Sequence, residues 1–193
     1  MQAIIKVDPV ERLQAEHRIW KISHPKDFEA DPMIASDGSE DWLTWLCVIP
    51  GPTKTCWENG RFRLMIYYPK DYPDKPPKCQ FQPPLFHPNI FLSGTVALSI
   101  LEEDWKPTLT IKDVMPKICH EIFNYKSCAL FCNSPSSIIE VILPGIQMLL
   151  KEPNMNNPAH AMAYTLHKTS LFEYNNRIRQ QVAKSIQNNS WRY

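Results

Sequence analysis

Residues 86–104 read FHPNIFLSGTVALSILEED, and the fold turns on how that run is read. His87-Pro88-Asn89 makes a rigid turn, because the ring of Pro88 fixes φ and asparagine favours turn geometry. Ser93, Gly94 and Thr95 form a loop of small residues, and an apolar strand-like piece follows before Glu102-Glu103-Asp104. Taken alone, the turn has a plain reading in which Asn89 bonds its own backbone.

Working outward, Asp8-Pro9-Val10-Glu11 is a helix start, with Asp8 as N-cap, Pro9 at the first helical position and Glu11 able to bond back. Val10, Leu13, His17 and Trp20 recur at helical spacing, and His24-Pro25 ends that helix. Trp42 to Ile49 and Arg61 to Tyr68 are strands. In the second, Phe62, Leu64, Ile66 and Tyr68 alternate with Arg63, Met65 and Tyr67. Asp37-Gly38 and Asn59-Gly60 mark turns, and Lys78 to Gln82 is a further short strand. Tyr72 to Pro77 is a proline-stiffened loop that braces the sheet. From Thr110 the pattern turns helical, with a long stripe of Leu171, Tyr174, Ile178, Val182 and Ile186. Helix, antiparallel meander, proline-rich loop and helices give an α+β order in one domain, residues 1–193.

Composition narrows the function classes. A net charge of +1 argues against a general nucleic-acid binder. The N-terminus MQAIIKVDP has no apolar signal region and no run is apolar enough to span a bilayer, so no membrane role is expected. Six cysteines without a secretory signal are expected to be reduced thiols, and Cys47 and Cys79, in strand patterns, are expected to be buried. The expected location is nucleus and cytoplasm. Eighteen prolines against five glycines imply stiff, extended connections.

The central third carries a resemblance. Pro50-Gly51, Trp57-Glu58, the Tyr72 to Lys78 run, PPLFHPN, and Gly94-Thr95-Val96 through Trp105 together resemble the ubiquitin-like-protein conjugating enzymes. LSILEED, Gly145 to Asn154 and Pro158-Ala159 are most similar to the SUMO-conjugating branch. The resemblance implies a conjugating-enzyme fold: N-terminal helix, four-stranded antiparallel meander and C-terminal helices. It also implies transfer of SUMO, or a related ubiquitin-like modifier, from an activating enzyme to a target-protein lysine. ATP is used by that activating partner, ligases assist, and the chain itself needs no cofactor or metal.

Such a transfer passes through a tetrahedral oxyanion, which a fixed N–H donor stabilises. The resemblance implies that Asn89 is this donor, held by His87-Pro88, and that the nucleophile is a cysteine thiol at the position of Ala97. An aspartate and a tyrosine that promote loss of the lysine proton correspond to Asn157 and Phe91. Lys78, Ser93, Thr95, Pro158 and Ala161 keep the acceptor-groove pattern, and a usual second lysine there is Gln80. Lys78 and Gln80 also have a plain reading as the solvent face of a strand. Trp105 is expected to pack rather than react.

Ala97 admits two explanations: an engineered replacement in a working enzyme, or a natural member that has lost catalysis and keeps binding. Phe91, Gln80 and Asn157 also depart from the branch pattern, and a dipeptide between Asp104 and Trp105 is missing, so natural divergence is favoured. The expectation is a SUMO-conjugating-enzyme-like protein that is inactive as written. The alternatives are a non-catalytic binding module for SUMO, ligase or target, or a conjugating enzyme acting with ubiquitin.

Residues 114–142 are an extra segment relative to the family, either a surface excursion or translated non-coding sequence. Cys119, His120, Cys128 and Cys132 lie in it at a spacing that matches no compact zinc site. Pro144 is expected to interrupt the following helix, which would restart near Gly145. On the N-terminal helix, His17, Arg18, Lys21 and His24 form a basic patch where the family meets its activating enzyme and a second SUMO; a simply solvated helix face is the alternative.

Overall fold

The computed structural model describes residues 8–107 and 137–187. The expectations for Thr110 to Lys112, for Cys119, His120, Cys128 and Cys132, and for most of 114–142 lie outside the described residues.

Helix α1 is Pro9–Ser23. Asp8 caps it, its carboxylate accepting the Val10 N–H at 2.8 Å, and the His24 N–H closes the other end on the Trp20 carbonyl at 2.9 Å. Strands β1 (Glu29–Ile34), β2 (Glu40–Pro50), β3 (Arg61–Tyr67) and β4 (Lys78–Phe81) form one antiparallel sheet in sequential order. Pairing runs from Thr44↔Tyr67 to Pro50↔Arg61 in the centre and from Leu64↔Phe81 to Tyr67↔Lys78 at β4. β1 holds Pro32 at the sheet edge, where a missing N–H is tolerated, and the register shifts just after it. Both expected turns adopt the left-handed conformation they require, with φ of 84° at Gly38 and 67° at Asn59.

Among the described residues three further α-helices follow: α2 (Ile139–Lys151), α3 (Ala161–Thr169) and α4 (Leu171–Gln187). One face of the sheet, with Trp45, Cys47, Ile49, Leu64 and Ile66, joins Leu13, Trp20, Ile139, Ile142 and Ile146 in a single core. Cys47 and Cys79 are buried there as expected.

The expected break at Pro144 is corrected: α2 runs through it without restarting, and residues 139–142 are its first turn. An internal proline costs roughly 3 kcal/mol. Against this, Ile139, Val141, Ile142, Leu143, Ile146, Leu149 and Leu150 are buried, each contributing roughly 1.5–3 kcal/mol as an upper bound. Burial outweighs the local rule. On α4 the apolar stripe is buried only at Tyr174, Ile178 and Val182; Leu171 and Ile186 at its ends face solvent.

Periodicity gave no sign of one core residue. Glu16 is only 2% exposed and accepts from Arg12 Nε at 2.7 Å and from the Tyr72 hydroxyl at 2.9 Å. Burial raises its pKa, and the bonds to Arg12 and Tyr72 oppose that shift. The cluster ties α1 to the proline-rich loop. Trp105 braces the same loop from the other side, donating its Nε1–H to the Pro73 carbonyl at 2.8 Å, so Trp105 packs as expected.

Candidate active site

Residues 94–97 run between two backbone partners. On one side, Phe81 N–H donates to the Gly94 carbonyl (2.9 Å) and Val96 N–H to the Cys79 carbonyl (3.0 Å), which sets Gln80 opposite Thr95. On the other, Phe91 N–H donates to Thr95 and Ala97 N–H to Asn89, both at 2.9 Å, around the Ile90↔Val96 bridge. This register places Asn89 directly opposite Ala97 on one face. Gly94 makes the turn possible: its φ is 88°, and a Cβ there would lie 2.3 Å from the Phe81 carbonyl oxygen.

Asn89 and Ala97 open into a cavity of about 390 Å³ walled by Leu98, Ser99, Leu149, Asn154, Asn156 and Asn157, with Glu102 and Glu103 also lining it. Both glutamates are exposed, and neither was singled out in the sequence as part of the site. Their only signal there was the acidic run after the strand-like piece.

The side chain of Asn89 is 1% exposed and saturated with partners. Nδ2 donates to the carbonyls of Asn154 (2.7 Å) and Asn157 (3.1 Å), and Oδ1 accepts the Asn154 N–H (2.8 Å). The plain reading of an asparagine bonded to its own backbone does not hold, since its partners lie more than sixty residues away. Donation to an oxyanion would require giving up one of these bonds, and the longer one to Asn157 is the weaker. His87 supports the turn from beneath. Its Nδ1 accepts the Asn89 N–H at 3.1 Å, which only an unprotonated nitrogen can do, and complete burial pushes its pKa down to about 3.

Several of the residues expected of an acceptor groove lie around this frame. Gln80 Nε2–H donates to the Ser93 carbonyl (2.6 Å), and Ser93 Oγ–H donates to Thr95 Oγ1 (3.0 Å). Lys78, two residues from Gln80 along β4, is exposed on the same strand face. Phe91 is 43% exposed at the loop. Pro158 and Ala161 are exposed on the segment leading into α3, and Pro88 holds that segment by accepting the N–H groups of Ala159 (2.7 Å) and His160 (3.0 Å). Asn157 lines the cavity and gives its carbonyl to Asn89.

No described thiol lines the cavity. Burial raises the pKa of Cys47 and Cys79, and the half-buried Cys56 shifts the same way. No His, Cys, Asp and Glu grouping among the described residues suits a metal ion.

The basic patch lies on α1, apart from this site, and is partly neutralised. Lys21 pairs with Asp31 of β1, and His17 Nε2 lies 2.9 Å from the same carboxylate with its ring edge-on to Trp42 and Trp45. His24 leans on Trp20. Arg18 is exposed beside Ile22, which is 88% exposed.

Comparison with known proteins agrees with the geometry. The ubiquitin-conjugating enzyme family model matches residues 12–133. The chain is 38% identical over 175 residues to the SUMO-conjugating enzyme UBC9 of Caenorhabditis elegans, covering 90% of this chain and 89% of that protein. It is 40% identical over 172 residues to the Sumo-conjugating enzyme ubc9 of Dictyostelium discoideum, covering 88% and 91%. The SUMO-conjugating enzyme SCE1 of Arabidopsis thaliana is 38% identical over 172 residues, covering 88% and 90%.

Proposed function

The chain belongs to the ubiquitin-conjugating enzyme family and is SUMO-conjugating-enzyme-like, and from that premise we propose that it binds an acceptor lysine segment without carrying SUMO as a thioester. One observation carries this reading: the residue opposite Asn89, where both line the cavity, is Ala97. A methyl group has no lone pair with which to attack a thioester carbonyl, so the covalent step has no nucleophile. The raised thiol pKa values at Cys47, Cys56 and Cys79 argue against a substitute among the described residues.

The binding half has its own support. Gln80, Ser93 and Thr95 are hydrogen-bonded into a fixed wall, and Pro158 and Ala161 face solvent. Glu102 and Glu103 place negative potential at the cavity, where a lysine ammonium is attracted. Asn157 and Ala97 themselves offer no charge. In this reading the chain acts beside SUMO, an activating enzyme, ligases or targets as a binding module, and the chemistry is done elsewhere.

The test uses the chain as written. It is incubated with activating enzyme, ATP and SUMO and run on a non-reducing gel, while a lysine-containing target peptide is titrated against it. The expected results are no thiol-sensitive adduct and saturable peptide binding. A thiol-sensitive adduct on this chain would sink the proposal, and so would failure of the peptide to bind.

A further inference from the structure

We propose that His160 is a positioning residue for the groove: as the side-chain cap of α3, its neutral ring holds the 154–161 segment against the Pro88-Asn89 turn. His160 Nδ1 accepts the Ala163 N–H at 3.3 Å, and its own N–H, with that of Ala159, is fixed on the Pro88 carbonyl. The residue therefore joins the first turn of α3 to the turn that carries Asn89. Asn89 grips the other end of the same segment at Asn154 and Asn157.

Histidine is an unusual choice for this place. Helix caps are mostly serine, threonine, asparagine or aspartate, which keep an acceptor oxygen throughout the neutral range. An imidazole accepts only through an unprotonated nitrogen, so this cap exists only while the ring is neutral. Protonation would remove the acceptor and add a positive charge at a helix N-terminus, where the dipole is already positive.

A neighbouring cation also disfavours that charge. The His160 and Phe86 rings meet edge to face with centres 5.1 Å apart, and the Arg177 guanidinium from α4 sits 4.9 Å over the same Phe86 ring. The charged and titratable groups that act on it are Arg177 and the buried, neutral His87. Burial holds its pKa below the ordinary 6.5, a backbone hydrogen bond opposes that shift, and Arg177 adds to it. A lowered folded-state value means the cap's stabilisation is complete above 6.5 and is lost as pH falls below it. Acidification thus releases α3's first turn and slackens the wall that presents Pro158 and Ala161.

The role of His160 does not depend on the proposed function, and its effect on binding rests on the acceptor-groove reading. The experiment follows backbone amide NMR signals and the His160 imidazole from about pH 8 to pH 5 in the chain as written, in His160→Asn and in His160→Ala. The amides of Ala163, Ala159 and Asn157 are expected to move with one midpoint, the midpoint of the imidazole. In His160→Asn, which keeps a cap that does not titrate, that movement disappears. If His160→Ala does not fold, the asparagine variant decides alone. Amides that ignore the imidazole midpoint, or a titration that survives in His160→Asn, overturn the proposal. In parallel, target-peptide affinity should weaken several-fold on acidification in the chain as written and not in His160→Asn. A peptide that binds at neither pH refutes the groove reading, while the amide titration still decides the role of His160.

Discussion

Replacing Asn89 by alanine separates a strut from a bystander. The substitution removes three hydrogen bonds, at 2.7, 2.8 and 3.1 Å, that join the turn to Asn154 and Asn157. Each bond is worth roughly 0.5–1.5 kcal/mol net, giving about 1.5–4.5 kcal/mol if every partner were left dry. Asn154 is only partly buried and Asn157 is exposed, so water repairs part of the loss and about 2 kcal/mol is expected. For a chain of this length that lowers the melting temperature by about 4–8 °C. Asn89→Asp should be at least as damaging, because a carboxylate loses both donors and faces the two carbonyls they served. Thermal and urea unfolding of the three proteins measure this directly. If Asn89→Ala melts within about 1 °C of the parent, Asn89 does not brace the segment and the reading of the site as a tied frame is wrong.

Two further outcomes follow from the same framework. Gly94→Ala must place a Cβ 2.3 Å from the Phe81 carbonyl at a φ of 88°, so a loss of about 1–3 kcal/mol is expected, and unchanged urea unfolding would contradict it. Glu16 has a pKa raised above 4.5 by burial, so its ionisation opposes folding and the parent should lose stability as pH rises through the range just above that value. Glu16→Gln should lack this component; parallel stability–pH curves for parent and variant would refute the assignment.

What the sequence revealed was mostly local. The Asp8 cap, the Asp37-Gly38 and Asn59-Gly60 turns and strands β2, β3 and β4 rest on short-range geometry or on periodicity and appear where they were expected, whereas β1 was not located from its own residues. The site's frame was legible too, because Gly94 and the His87-Pro88-Asn89 turn are constrained by their own backbones. What escaped depends on contacts distant in sequence. Asn89 is saturated by a segment more than sixty residues away, and the basic patch on α1 is partly neutralised by Asp31 from β1. Glu16 sits in the core only because Arg12 and Tyr72 meet it there. At Pro144 a correct local rule was overridden by burial along the whole of α2. His160 gave no signal, because a histidine cap cannot be told from any surface histidine without its Ala163 partner.

The central claim is that a tied hydrogen-bonded frame surrounds a missing nucleophile, and restoring the thiol tests it most directly. Ala97→Cys is incubated with activating enzyme, ATP and SUMO, and its intact mass is measured before and after a thiol reductant. The account expects a mass increase of one SUMO on the variant that the reductant removes, and no such increase on the parent. A variant that folds normally and gains no SUMO would show that the frame around Ala97 is not a working transfer site, contradicting the account.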